Sequence, residues 1–318
     1  MPHFCIVIPS SDAAQTIEDA IRSAVSQDYD DYSVVVSDNA SADGTIECLQ
    51  RFGNHPRLAI HRHTERLGKT ANWNRAFRLA GDCEYLVNLH ADDRLEPHCL
   101  TTLARRTRRK PALAHGAIRS IFFNGTPKSK RRHFAWPYVV PQGPGLQMLL
   151  MLGNLVSVVG TAISRRAFEA VGGWPEEYTF MQDVELWSRL SRLGETYYIP
   201  AVLGDYRDQQ RQGVNLNYLA ELISWHLRCA ECDEGAFMGW CAQAGLRKTV
   251  KDITQSIEAK LLRNHKAVWD NYTAAVKHLG SHGGIYVDPV WIQRTLRLQY
   301  CARYLGKKLN GPRHKMRN

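Results

Sequence analysis

The sequence predicts an α/β protein with a mostly parallel sheet flanked by helices, followed by a helical C-terminal extension. Three observations predict it. Short β-branched runs alternate with helical stretches over the first two thirds of the chain, each run ends in a polar, turn-forming loop, and the pattern beyond Asn215 is mostly helical. Residues 1–215 are therefore read as one α/β domain and residues 216–318 as a basic, mostly helical extension.

The elements follow in order. "HFCIVIPS" is an apolar run that leaves through Pro-Ser-Ser-Asp, as a buried strand does. In "AAQTIEDAIRSAVSQDY" the apolar residues Ile17, Ala20, Ile21, Ala24 and Val25 recur at helical spacing. "YSVVVSDNASADGT" repeats strand and loop, "TIECLQRF" is a short helix, "RLAIHRH" a strand, "TANWNRAFRLA" a helix, and "EYLVNL" a strand that delivers "HADD". Strand, loop and helix repeated in this way predict parallel pairing with right-handed crossovers. Such sheets take ligands outside the carboxyl ends of their strands. Residues 10–12, residues 38–43 and the pair Asp92 and Asp93 are thus expected along one edge.

"PHCLTTLARRTRR" reads as a helix, "ALAHGAIRSIFF" as a strand region, and segment 124–145, rich in Gly, Pro and basic residues, as a mobile loop. "LQMLLMLGNLVSVVGTAI" is interrupted by Gln147, Gly153, Asn154 and Ser157 and is barely long enough to span a bilayer, so it reads as a core helix followed by a buried strand. "GTAISRRAFEAVGGW" turns from strand to helix to a Gly-Gly turn. "MQDVELWSRLSRLG" is an amphipathic helix, and "ETYYIPAVLGDYR" a late strand. There is no internal repeat and no Gly-rich phosphate loop.

At 318 residues, 44% hydrophobic and 23% charged, the composition is that of a folded globular protein. "MPHFCIVIPSS" has no basic leader and no cleavage pattern, which argues against a secretory signal and for the cytoplasm. The cysteines are scattered, and Cys229 with Cys232 lacks the second pair of a zinc site. The net charge is +10, and between 219 and 318 Lys and Arg outnumber Asp and Glu sixteen to eight. With "RRTRRK" and "KSKRR" this basic surface suits anionic lipid or phosphorylated ligands, or is simply solvated. Neither cluster contains an aromatic residue, and no nucleic acid is expected. Helix 291–309 either lies on an anionic bilayer, at the inner face of the membrane, or packs on the α/β domain.

Standing alone, Asp92 and Asp93 suit a turn cap as well as a metal site. They do not stand alone. "IVIPSSDAAQTIEDAIRSAVSQDY", "VVVSDNASADGT", "LGKTANWNRAF", "LVNLHADDRLEP", "GTAISRRAFEAVGGW" and "QDVELWSRL" occur in one order, and together they closely resemble the inverting glycosyltransferases of family 2, which have the GT-A fold. The resemblance covers about residues 3–210. It implies transfer of a sugar from a nucleotide-sugar donor, UDP-linked by the family's habit, to a hydroxyl of a glycan or lipid-linked acceptor in cell-surface polysaccharide or glycolipid synthesis. A divalent cation, Mn or Mg, would offset the diphosphate charge.

The resemblance also implies site residues. The family's DxD motif falls on His90, Ala91 and Asp92, which makes Asp92 the principal metal ligand and Asp93 a supporting or sugar-contacting carboxylate; His90 replaces the commoner acidic residue. Asp38 takes the place of the aspartate that accepts the N3–H of uracil, and Pro9 and Ser11 form the first loop, with Ser11 where an aromatic ring is usual. Arg66 and Lys69 approach the nucleotide and are suited to pair with phosphate or to remain solvated; Asn74 is retained beside Trp73, which stands in an arginine's place. Asp183 is the general base that inversion needs, or else a helix cap, with Glu185 as the runner-up. Trp174 reads more readily as core than as acceptor pocket, and Arg207 matches an arginine after the late strand. Two other readings compete. A sugar-phosphate nucleotidyltransferase would carry Gly, Arg or Lys in its first loop, where "PSSDAAQT" has none; a nucleic-acid or anionic-surface binding protein would use the basic face alone.

Overall fold

The computed structural model describes residues 1–129 and 135–208, together with 221, 222, 225, 228 and 229. The chain divides into two compact units, residues 1–212 and 213–318. The expected C-terminal helices, the pair Cys229 and Cys232 taken together, and the membrane-facing segment 291–309 fall outside the described residues. Among the described residues no helix is long and apolar enough to cross a membrane.

The first unit begins with β1 (Phe4–Ser10), α1 (Ile17–Val25), β2 (Tyr32–Asp38), α2 (Thr45–Gln50), β3 (Leu58–Arg62), α3 (Lys69–Leu79) and β4 (Tyr85–Asn88). It continues through β5 (Arg94–Leu95), α4 (Cys99–Thr107), β6 (Leu113–Ile121), β7 (Pro127–Ser129), β8 (Tyr138–Val140) and α5 (Gly145–Leu152). It closes with β9 (Thr161–Ser164), α6 (Arg165–Ala170), α7 (Gln182–Ser191) and β10 (Thr196–Arg207). The described strands make one sheet in the order β3-β2-β1-β4-β9-β6-β10-β5, with β7 on β6 and β8 on β10.

The α/β architecture and the order of its elements are as the sequence predicts. β3, β2, β1 and β4 pair in parallel, as do β6 and β10. Every residue of β1 and β4 is buried, which is why these strands read as unbroken apolar runs rather than alternating ones. Their faces join Ile17, Ile21, Leu100 and Leu103 in one core.

The direction of one strand was not foreseen, and one expectation is corrected. β9 lies antiparallel between β4 and β6, so the sheet is mixed there. Strand direction follows from the connection, and no residue pattern inside "TAIS" encodes it. Segment 124–145 contains β7 and β8, short edge strands whose three residues each are too few to show a period. β5 is likewise only two residues long, and it reaches β10 because Gly204 leaves room: a Cβ there would stand 2.4 Å from the carbonyl oxygen of Arg94.

The antiparallel run of β9 has a consequence for the ligand edge. Thr161, its first residue, is paired with Asn88, the last of β4. The loop that precedes β9 therefore arrives at the same edge as the carboxyl ends of β1, β2, β4, β6 and β10.

Candidate active site

A cavity of about 1490 Å³ opens at that edge. Of the residues singled out in the sequence, Pro9, Ser11, Arg66, Lys69, Ala91, Asp92 and Asp183 line it, whereas Asp38, Asn74, Asp93 and Glu185 do not.

"HADD" is a reverse turn at the end of β4, closed by the Asp93 N–H donating to the His90 carbonyl at 3.1 Å. Asp92 projects from it half-buried, while Asp93 is 1% exposed. Arg207, at the end of β10, clamps the turn from behind. Its backbone N–H donates to Asp93 Oδ1 at 2.8 Å and its Nε to the Asp92 carbonyl at 2.7 Å. Its other nitrogens reach the Phe123 carbonyl and, at 3.0 Å, Asp19 Oδ2. Burial, ahead of repulsion from Asp92, pushes the Asp93 carboxyl well above the usual range.

The guanidinium of Arg207 thus satisfies acceptors from three segments at once. Arg207→Met is expected to lower stability by about 1.5–3 kcal/mol, the worth of hydrogen bonds from a charged donor, a loss measurable by urea unfolding.

His90 lies under the indole of Trp73, with ring centroids 4.6 Å apart. Burial pushes its imidazole down to about 4, which keeps it neutral near pH 7. Lys69 opens α3, lines the cavity, and holds its ammonium 4.7 Å from the Trp73 ring centroid. His90, Asp92 and Asp93 each offer a ligand atom, and these atoms lie within 4.8 Å of one another. Two carboxylates and a neutral imidazole are a donor set that fits a divalent cation.

The same cavity is lined by the start of α7. Asp183 sits in its first turn, where the helix dipole favours a negative charge. Its Oδ1 accepts from the Val184 N–H at 2.8 Å and its Oδ2 from Asn154 Nδ2 at 2.9 Å. Burial pushes the carboxyl up; those two donors and the charge of Lys69 oppose it. Asn154 is held in its turn by the Val156 N–H, which donates to its Oδ1 at 3.1 Å. The sequence offered no sign of Asn154, because its place depends on the direction of β9. Glu185, the alternative base, is instead bound to Arg189 at 2.7 Å and is absent from the cavity lining.

Three expectations change with position. Asp38 is fully buried, and its two oxygens accept from the Ser41 N–H at 3.1 Å and the Ser41 hydroxyl at 2.5 Å. It shapes the loop after β2, and its neighbour Asn39 lines the cavity in its place. Asn74 spends its amide on the Gly-Gly-Trp turn: Nδ2 donates to the Trp174 carbonyl at 2.8 Å, and Oδ1 accepts from the Trp174 N–H at 2.8 Å. Gly173, at φ +86°, passes so close to Asn74 that a Cβ would meet its oxygen at 2.7 Å. Trp174, 1% exposed, packs on Trp73, Phe77 and Trp187 as a core residue. Arg66 is exposed but paired, for it donates to Ser11 Oγ at 2.9 Å and to Asp12 across the mouth of the first loop.

Residues 5–172 match the family model described as Glycosyl transferase family 2. The chain belongs to that family. This family 2 glycosyltransferase is 24% identical over 218 residues to an uncharacterized glycosyltransferase of Rickettsia felis, covering 67% of this chain and 35% of that one. It is 26% identical over 203 residues to the chondroitin synthase of Escherichia coli, covering 63% of this chain and 28% of that one. The chain thus spans about a third of the length of these two relatives. Among solved structures, S. aureus TarS 1-349 in complex with UDP-GlcNAc superposes with a TM-score of 0.65 at 13% identity, covering 87% of this chain and 80% of that one. The mannosyltransferase PcManGT from Pyrobaculum calidifontis, in complex with GDP-Man and Mn2+, gives 0.56 at 17% identity, with 98% and 88% covered. These likenesses establish the GT-A fold of the family 2 enzyme.

Proposed function

We propose that this glycosyltransferase inverts: it moves a sugar from a nucleotide-sugar donor, UDP-linked, to a hydroxyl of a glycan or lipid-linked acceptor in cell-surface polysaccharide or glycolipid synthesis. The observation that carries the proposal is that Asp92, Asp183 and the cation Lys69 line one cavity. UDP-GlcNAc in TarS supports the donor class. Chondroitin synthase and the undecaprenol-linked β-1,3-glucosyltransferase of Campylobacter jejuni among the relatives support the acceptor class.

The nucleoside diphosphate is placed along the first loop, against Pro9, Ser11 and Arg66, with the backbone at Ala91 beneath the sugar. Asp38 and Asn74 support this wall from behind. A divalent cation, Mn or Mg, would be held principally by Asp92 and would supply charge compensation for the departing diphosphate. Lys69 adds a fixed positive charge on the same side. Asp183 takes the proton of the acceptor hydroxyl. The new oxygen–carbon bond forms on the face of the anomeric carbon opposite the breaking carbon–oxygen bond, whose electron pair leaves with the diphosphate. A single displacement of this kind inverts the anomeric centre.

Asp183 must be ionised to act, and burial raises its pKa. Activity is therefore lost as pH falls through a midpoint above the ordinary carboxylate range. Removing the Asn154 donor disfavours the charged form further, so Asn154→Ala is expected to move the acid limb of the kcat profile to higher pH with donor KM little changed. A pH–rate profile of both proteins checks it.

The proposal as a whole is tested by a scan of nucleotide sugars with the purified protein, read as donor hydrolysis with and without Mn2+. Release of UDP from one UDP-sugar is expected, and absence of hydrolysis across the scan would overturn it.

A further inference from the structure

The role of His90 is not covered by the reading above, although its ring heads the turn that carries both aspartates. Asp93 is 1% exposed, and while its Oδ1 is taken by the Arg207 N–H, its Oδ2 has no hydrogen-bond partner. That orphan oxygen stands 3.7 Å from His90 Nδ1, beyond hydrogen-bond reach. The other ring nitrogen of His90, Nε2, is buried and also has no hydrogen-bond partner. Burying two such groups unsatisfied is costly, and a turn pinned by Arg207 cannot swing them into water.

The spacing suggests what would satisfy the Asp93 oxygen. Ligand atoms about 2.1 Å from one octahedral ion lie about 3 to 4.2 Å from each other. The His90, Asp92 and Asp93 donor atoms lie within 4.8 Å, a spread that modest side-chain rotation closes. Trp73 stacks on the imidazole at 4.6 Å and restrains its rotation, so the ring is pre-oriented towards the aspartates.

We propose that His90 is a direct ligand of the divalent cation, so that His90, Asp92 and Asp93 form a nitrogen-and-oxygen site that takes Mn2+ or Co2+ in preference to Mg2+. The proposal rests on the metal-assisted reading of this turn and specifies its ion. Mg2+ holds its waters and favours all-oxygen surroundings, whereas imidazole binds first-row transition ions well, Co2+ more tightly than Mn2+. Replacing an acidic residue by His90 removes a negative charge that would help Mg2+ and adds a nitrogen that helps the others.

The test uses the full-length protein and metal salts alone, without nucleotide. Pulsed EPR of bound Mn2+ is expected to show the hyperfine coupling of a directly bonded imidazole nitrogen, absent in His90→Asp. Calorimetric titration is expected to give Mn2+ at least about tenfold tighter than Mg2+, with most of that margin gone in His90→Asp. Circular dichroism shows whether the variant is folded, and the wild-type spectrum decides the point without it. Bound Mn2+ with no nitrogen coupling would overturn the role of His90 and leave the glycosyltransferase reading intact. Failure to bind Mn2+, with donor hydrolysis indifferent to EDTA, would overturn the metal site and again spare the transfer reaction. Nitrogen coupling without hydrolysis of any donor would support the site and count against the proposed function.

Discussion

Asp183→Asn is expected to keep nucleotide-sugar binding and to lose turnover by about 10²- to 10⁴-fold, the usual contribution of a positioned general base. The substitution is nearly isosteric, and both hydrogen bonds to the side chain have a partner that an amide can retain in part: the Val184 N–H and Asn154 Nδ2 each need one acceptor, and the amide oxygen supplies one. What disappears is the ability to hold a proton. Calorimetry with UDP and UDP-sugar should thus give dissociation constants within a few-fold of the parent, while single-turnover transfer collapses. Equal loss of both would mean that the side chain builds the cavity and takes no proton. Normal turnover would move the base elsewhere. Glu185 is poorly placed to inherit the role, since Arg189 holds it at 2.7 Å and it is not part of the lining.

The contrast between Asp183 and Asn154 shows what a sequence can and cannot disclose about this site. Asp183 was legible because a carboxylate in the first turn of a strongly amphipathic helix is conspicuous in "MQDVELWSRL", and because the preceding motifs came in family order. Asn154 was not, although it touches Asp183 directly. It lies in the approach to β9, and only the antiparallel setting of that strand, beside Asn88, carries the approach to the ligand edge. A four-residue strand looks the same in either direction.

Asp38 and Asn74 show the converse. Their positions along the chain match the family motifs, yet their side chains are spent on local geometry: Asp38 on Ser41, Asn74 on the turn at Gly173 and Trp174. Spacing places a residue near a site; whether its polar atoms remain available depends on the partners it meets, three residues away for Asp38 and a hundred for Asn74. Arg207 lies between the two cases. Its match to the family was visible, but the clamp it forms on both aspartates needs the last residue of β10 and the turn after β4 to meet, which no local pattern encodes. β5, β7 and β8 escaped for a simpler reason, being too short to display a period of two.

Asp92→Ala is expected to abolish metal-dependent donor binding and to lower transfer by about 10³-fold, the equivalent of the several kcal/mol that a metal ion contributes to charge stabilisation. Asp92 is the one carboxylate of the turn that lines the cavity, while Asp93 is buried behind it with one oxygen already bound to the Arg207 N–H. The Arg207 clamp on the turn survives the substitution, because it runs through the Asp92 carbonyl and the Asp93 carboxylate. The thermal midpoint of the variant should therefore stay within a few degrees of the parent. Calorimetry should show Mn2+ binding weakened by at least about tenfold to a hundredfold. A variant that kept Mn2+ affinity but lost transfer would assign Asp92 to the sugar rather than to the metal. One that lost thermal stability as well would mean that the carboxylate is part of the scaffold. The two variants separate cleanly: Asp92→Ala acts on the donor and its charge, Asp183→Asn on the acceptor proton, and only the first should weaken Mn2+ binding.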